Sequence, residues 1–157
     1  MIPEMTHIAP PLFGGAEVAV DTYLVDPNHP EPATGDQAAA FSAFRSLTTE
    51  DLLELTPHVV AYAQDFGTAT GQVASYDPET IWAEVTPNEA FVEKLNGDWH
   101  VCVEADCSWE PEHGLMLVWR HGKELVKVGP FDGQLANTAG DDVIYDAQNP
   151  KFTTRRG

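Results

Sequence analysis

Nine consecutive residues, Asp106-Cys-Ser-Trp-Glu-Pro-Glu-His-Gly114, hold a thiol, a hydroxyl, an indole, three carboxylates and an imidazole. Four chemistries could use such a cluster. A zinc site would take His100, Cys102, Cys107 and His113, spaced H-x-C-x4-C-x5-H. Structural zinc sites usually present two ligands together from a short loop such as C-x2-4-C, but hairpin parity puts Cys102 and Cys107 on opposite strand faces unless a bulge intervenes. A calcium site would use Asp106, Glu110, Glu112 and Asp132, without the alternating acids, glycine and distal glutamate of an EF-hand loop. Nucleophilic catalysis would pair Cys107 or Ser108 with His113 and an acid, but neither lies in a recognisable nucleophile motif and there is no G-x-S-x-G elbow. A carboxylate pair for glycoside chemistry needs a cleft that residue order does not show. The favoured reading is structural in each case: solvated carboxylates, Cys102 as a small strand residue, and His113-Gly114 as a turn. No catalytic residue, metal or cofactor is assigned. Trp109 either anchors a partner or closes the end of a sheet with its indole N–H on a carbonyl; the second is favoured.

Charge narrows the classes further. The chain has 157 residues, 43% of them hydrophobic, with 25 acidic and 8 basic side chains and a formal net charge of −17. Residues 1–90 carry one basic side chain, Arg45, against 14 acids. Such a surface repels phosphate backbones, which disfavours ordinary nucleic-acid binding, and it suits a basic partner or simple solubility. No apolar run approaches membrane-span length, and Met1–Met5 lacks the start of a signal peptide. Cys102 and Cys107 on one strand would lie ~16 Å apart, too far for a disulfide. Reduced thiols and a cytoplasmic setting follow.

The elements that must position these residues are legible as changes of period. Residues 8–25 read as strand material broken at Gly14-Gly15, and residues 26–33, with three prolines, as a stiff connection. Thr34-Gly-Asp-Gln37 reads as a capping box opening a helix to about Leu47, with Ala40, Phe41, Phe44 and Leu47 on one face. A second helix starts at Thr49; Pro57 should end it and begin a third, which Gly67 stops. Asp77-Pro78-Glu79 opens a short turn. From Val85 the period becomes two. Asn96-Gly97 predicts a type I′ hairpin pairing Lys94 with Trp99, Val92 with Val101 and Ala90 with Val103 on the core face, with Phe91 and Cys102 opposite. A second hairpin turning at His121-Gly122 should pair Trp119 with Glu124, Leu117 with Val126 and Leu115 with Val128. The sum is an α+β domain: an antiparallel sheet of two C-terminal hairpins plus N-terminal strands, packed with two or three helices. It spans residues 1–136, and 137–157 form a polar extension with one short edge strand.

The run Cys107-Ser-Trp-Glu-Pro-Glu-His-Gly-Leu115, with Val128-Gly-Pro-Phe-Asp-Gly133 after it, resembles an uncharacterised bacterial domain family of unknown function. That family carries Trp-Glu-x-Glu-His-Gly-Leu, a strand, and a Val-Gly-x-Tyr/Phe-Asp-Gly ending. The resemblance implies that Trp109, Glu110, Glu112, His113, Gly114, Asp132 and Gly133 are family-motif residues, and it implies no activity. By analogy, small acidic bacterial proteins of this kind are similar to immunity proteins of polymorphic toxin systems.

The resulting expectation is a non-catalytic protein-binding module, monomeric or weakly dimeric, that covers a basic toxin or effector. Its binding residues would be Asp51, Glu54 and Asp65 on the helices and Trp109, Glu110, Glu112, His113 and Asp132 at the motif. Two rivals stand beside it: an enzyme or metal-dependent module centred on Asp106–His113 and Asp132, and a mimic of duplex DNA.

Overall fold

Strand material rich in Val, Leu and aromatics is arranged in a six-stranded sheet in sequence order. The strands are β1 (Met5–Ile8), β2 (Val18–Asp21), β3 (Val85–Leu95), β4 (Asp98–Cys107), β5 (Leu115–Arg120) and β6 (Glu124–Gly129). The structure is a computed structural model, and it describes residues 5–21, 35–69, 71, 76–129 and 131. Helices α1 (Gly35–Arg45) and α2 (Thr49–Ala69) lie between β2 and β3. That placement explains the one departure from an antiparallel sheet: β2 and β3 pair in parallel, Ala19 opposite Glu89. A parallel neighbour needs a long crossover, and the helices supply it. The fold is α+β, with a mixed, mostly antiparallel sheet.

The first hairpin follows its sequence signal. Asn96 and Gly97 both have positive φ (52° and 86°), as a type I′ turn requires. Lys94 faces Trp99, Val92 faces Val101 and Ala90 faces Val103. The second hairpin does not. Three residues, His121 to Lys123, make its turn, so Arg120 faces Glu124, Trp119 faces Leu125 and Leu117 faces Val128. Register shifts between Val118 and Trp119, which leaves Val126 as the extra residue of a bulge. The expected pairs of Trp119 with Glu124, Leu117 with Val126 and Leu115 with Val128 are corrected. A longer turn and a bulge each change strand parity by one, so Leu125 turns to the core and Val126 to the other face.

Helix α2 corrects the expected break at Pro57, running unbroken past it and past Gly67. Proline removes one hydrogen bond, to the carbonyl of Leu53, and this side of the helix faces solvent: Leu53 is 70% exposed and Pro57 is exposed. Thr56, one residue before, is buried and donates its hydroxyl to the Leu52 carbonyl (2.7 Å). The same hydroxyl accepts the indole N–H of Trp82 (2.8 Å), which ties α2 to the 3-10 helix Ile81–Glu84 ahead of β3. At the start of α2, the Asp51 carboxylate accepts the backbone N–H of Thr48 (2.8 Å), half of a capping box. Among the described residues, no helix is long and apolar enough to cross a membrane.

Both helices pack on one sheet face. Ala40, Phe41 and Phe44 of α1 and Leu55, Val59, Tyr62 and Ala63 of α2 are buried against Val101, Val103, Leu115, Leu117, Trp119 and Val128. Leu47, expected on the same apolar side, packs against this core half-buried. The other sheet face has its own cluster, Cys102, Met116 and Val118 with Phe91 and Phe131 at its border. Cys102 and Cys107 form no disulfide and lie on opposite faces, as strand parity requires.

Candidate functional site

The chemistry-rich run is the connection from β4 to β5, and it folds inward. Trp109 is buried, its ring edge-on to Tyr62 (5.9 Å between centroids) and to Tyr76 (5.8 Å). It packs at the end of the sheet. Its indole nitrogen is buried with no hydrogen-bond partner among the described residues. Glu110 is buried as well. One carboxylate oxygen accepts the backbone N–H groups of Glu112 (3.0 Å) and His113 (3.4 Å), and the other meets His113 Nδ1 at 3.1 Å. Burial works against the Glu110 charge, but the bonds from His113 and from the two backbone N–H groups outweigh it and hold the carboxyl below its usual range. Glu110 thus clamps the turn that its own chain makes.

Glycine closes that turn. Gly114 has φ +74°, its N–H donates to the Glu110 carbonyl (2.9 Å), and its own carbonyl accepts the buried Tyr62 hydroxyl (3.2 Å). A β-carbon at Gly114 would sit 2.3 Å from the Ala105 carbonyl oxygen, so no other residue fits. Cys107, on the core face beside it, donates its thiol toward the Glu110 carbonyl (3.8 Å). Burial, with the charges of Glu110 and Asp106 behind it, pushes this thiol up to about 12. The thiolate is the nucleophile in cysteine chemistry, so a thiol held this high is inert at neutral pH. Ser108 is tied to the Glu84 carboxylate and carbonyl. Among the described residues of the run, Asp106, Ser108, Pro111, Glu112 and His113 are exposed, His113 by 58% of its side chain. Among the described residues, no group of three His, Cys, Asp or Glu side chains could hold a metal ion.

At the opposite end of the sheet the polar groups stand around open space. Because β3 to β6 form a meander, the turns at 96–97 and 121–123 meet there, over α1 and the start of α2. The His121 N–H donates to the Trp99 carbonyl (2.8 Å), joining the two turns. Gly122 lies so close to α1 that a β-carbon would fall 1.8 Å from the Ala40 carbonyl oxygen. Two clefts flank this contact. One, about 530 Å³, runs between Asp36, Ala39 and Ala43 of α1 and, opposite, Asp98 and Trp99 of β4 with His121 of the second turn. The other, about 290 Å³, has an apolar floor of Leu55, Trp119 and Leu125 rimmed by Asp51, His58 and Glu124. Lys123 borders both. Burial lowers the His58 pKa, which favours its neutral form.

Of the residues singled out in the sequence, Trp109, Glu110, Glu112 and His113 come together in the β4–β5 connection, a strap across the end of the sheet, two buried and two exposed. Asp51 stands apart, capping α2 and bordering the smaller cleft. Glu54 and Asp65 lie on α2 with side chains outside the described residues, and Asp132 lies wholly outside them. Asp36, within the expected capping box, Trp99, expected on the core face, and Asp98 and Lys123 carry no functional expectation in the sequence, although turns one hairpin apart in a meander always share an end.

No curated protein and no solved structure matches the chain. A family model described as a domain of unknown function (DUF6985) matches residues 4–135, so the chain, a mixed α+β sheet whose conspicuous motif is spent on its own backbone, belongs to that family.

Proposed function

We propose that the protein is a non-catalytic, acidic protein-binding module of the bacterial cytoplasm, an immunity-type inhibitor that covers a basic toxin or effector. On this reading the Trp-Glu-x-Glu-His-Gly-Leu segment is the family's signature because it builds the fold, not because it reacts. The observation that carries the proposal is how carboxylates are used at the two ends. Glu110 is consumed inside the strap, whereas Asp36 and Asp98 border the larger cleft and Glu124, paired with Arg120, borders the smaller one, on a chain of net charge −17. Such a field speeds association with a basic protein and rejects acidic ones.

The test is association kinetics with the basic protein encoded beside it, at low and high salt. Glu54→Lys with Asp65→Lys reverses charge on α2 while sparing Asp51, whose carboxylate the helix needs as a cap. The association rate should fall about tenfold at low salt and little at high salt. An association rate unchanged by both salt and charge reversal would remove the electrostatic argument.

One observation favours an enzyme instead: the His113–Glu110 pair, an imidazole oriented by a buried carboxylate and open to solvent. A base so placed needs a substrate cleft beside it, and both clefts described above lie at the other end of the sheet. Hydrolysis of a model ester or phosphate that disappears in His113→Asn would replace the binding reading.

A further inference from the structure

The larger cleft has walls of unlike chemistry. On α1 the methyl groups of Ala39, Ala40 and Ala43 make a flat apolar side with Asp36 at its helix-start end. Across from it stand Asp98 and Trp99, the first two residues of β4. Its volume, about 530 Å³, is that of a small-ligand site and admits a long side chain with its flanking backbone, not merely an ion. The indole already serves as a cation platform within the molecule, with Lys94 Nζ 5.6 Å from the Trp99 ring centroid. Competing cations stand close by: His121 Nε2 lies 3.4 Å from Asp98 Oδ1, Lys123 lines the cleft, and the Arg120 charge interacts with Asp98.

We infer that this cleft is an arginine-binding subsite, taking a guanidinium presented by a basic protein between Trp99, Asp36 and Asp98. Three features select that group. A guanidinium is planar and weakly hydrated, so it stacks on an indole and lies against alanine methyls at little desolvation cost. Its five donors fork, and each carboxylate can accept in the plane of the fork. A lysine ammonium, a strongly hydrated point charge, would use neither the flat walls nor the fork. The adjoining cleft, with Leu55, Trp119 and Leu125 on its floor, receives an apolar neighbour of that arginine.

The inference rests on the protein-binding reading and deepens it by naming the residue the partner must present. The test titrates isotope-labelled protein with N-acetyl-arginine amide and, separately, N-acetyl-lysine amide, following the Trp99 indole N–H resonance. The expected result is saturable movement of that resonance, about fivefold tighter for the arginine compound than for the lysine one. It should vanish in Asp36→Asn with Asp98→Asn, isosteric changes that keep the turn and the helix start, and weaken in Trp99→Phe. Non-saturating shifts, equal response to the two amides, or an undiminished response in the double variant would each overturn the subsite. A basic partner that binds the double variant as tightly and as salt-sensitively as the parent would also overturn it, while leaving the protein-binding reading standing. Saturable arginine binding with no basic partner at all would sustain the subsite and defeat that broader reading.

Discussion

The two ends of this sheet spend similar residues in opposite ways. At the strap, an acid, a tryptophan and a glycine are turned inward: Glu110 holds backbone N–H groups, Trp109 fills the space between two tyrosines, and Gly114 lets the chain touch β4. At the hairpin turns, Asp98 and Trp99 border open space, and only Gly122 is pressed into the fold. A residue type therefore says little about its job. What decides is whether the neighbouring backbone has donors to satisfy. The strap makes tight turns whose N–H groups point inward and would be orphaned without Glu110, and an unmet buried donor is costly. The type I′ turn meets its own requirements with Asn96 and Gly97, which frees the side chains after it.

The contrast can be broken most severely through its glycines. Gly122→Ala places a methyl group against the Ala40 carbonyl and adds strain at φ +75°, so a loss of about 4 kcal/mol is expected in urea unfolding. Gly114→Ala should approach it. Gly97→Ala meets nothing within 4 Å and pays only for positive φ, about 1 kcal/mol. Equal losses at Gly97 and Gly122 would mean that α1 does not pack against the turn as described.

The strap is next. Glu110→Ala should cost about 1 kcal/mol by leaving two part-buried backbone donors without their carboxylate. The pH dependence has a definite sign. A carboxyl held below its usual range when folded contributes fully above its unfolded value, about 4.3 for glutamate, and loses that contribution as the pH falls through the lower folded value. Stability of the parent should therefore drop at acid pH more steeply than that of Glu110→Gln. Parallel acid limbs in the two would show that Glu110 is not the clamp.

The smallest effect is on thiol chemistry and needs no substitution. Cys102 and Cys107 are both buried, and Cys107 is pushed up to about 12, so neither should react with an alkylating reagent at neutral pH until denaturant is added. Rapid alkylation of Cys107 in the folded protein would reopen nucleophilic chemistry at the strap and erase the distinction between the two ends.

Local rules account for much of this molecule. Asn-Gly dictated the first hairpin and every pair up to Ala90–Val103, because a type I′ turn fixes register and period-two burial fixes face. The helical face of Ala40, Phe41 and Phe44 followed from a 3.6-residue period, and the separation of the two cysteines followed from strand parity. Composition set the sign of the field. Tertiary structure decided the rest, wherever a neighbour distant in sequence outweighed the local preference. Pro57 stays helical because the bond it deletes faces solvent while Val59, Tyr62 and Ala63 are held by the core. The β5–β6 register moved because one more turn residue and a bulge let Leu125 and Val128 both reach the core face. The role of Glu110 became legible only where the backbone folds back to present its N–H groups. The clefts exist because a meander brings the turns at 96–97 and 121–123, distant in sequence, to one end over α1; a contact of that kind has no signature in the residues that make it.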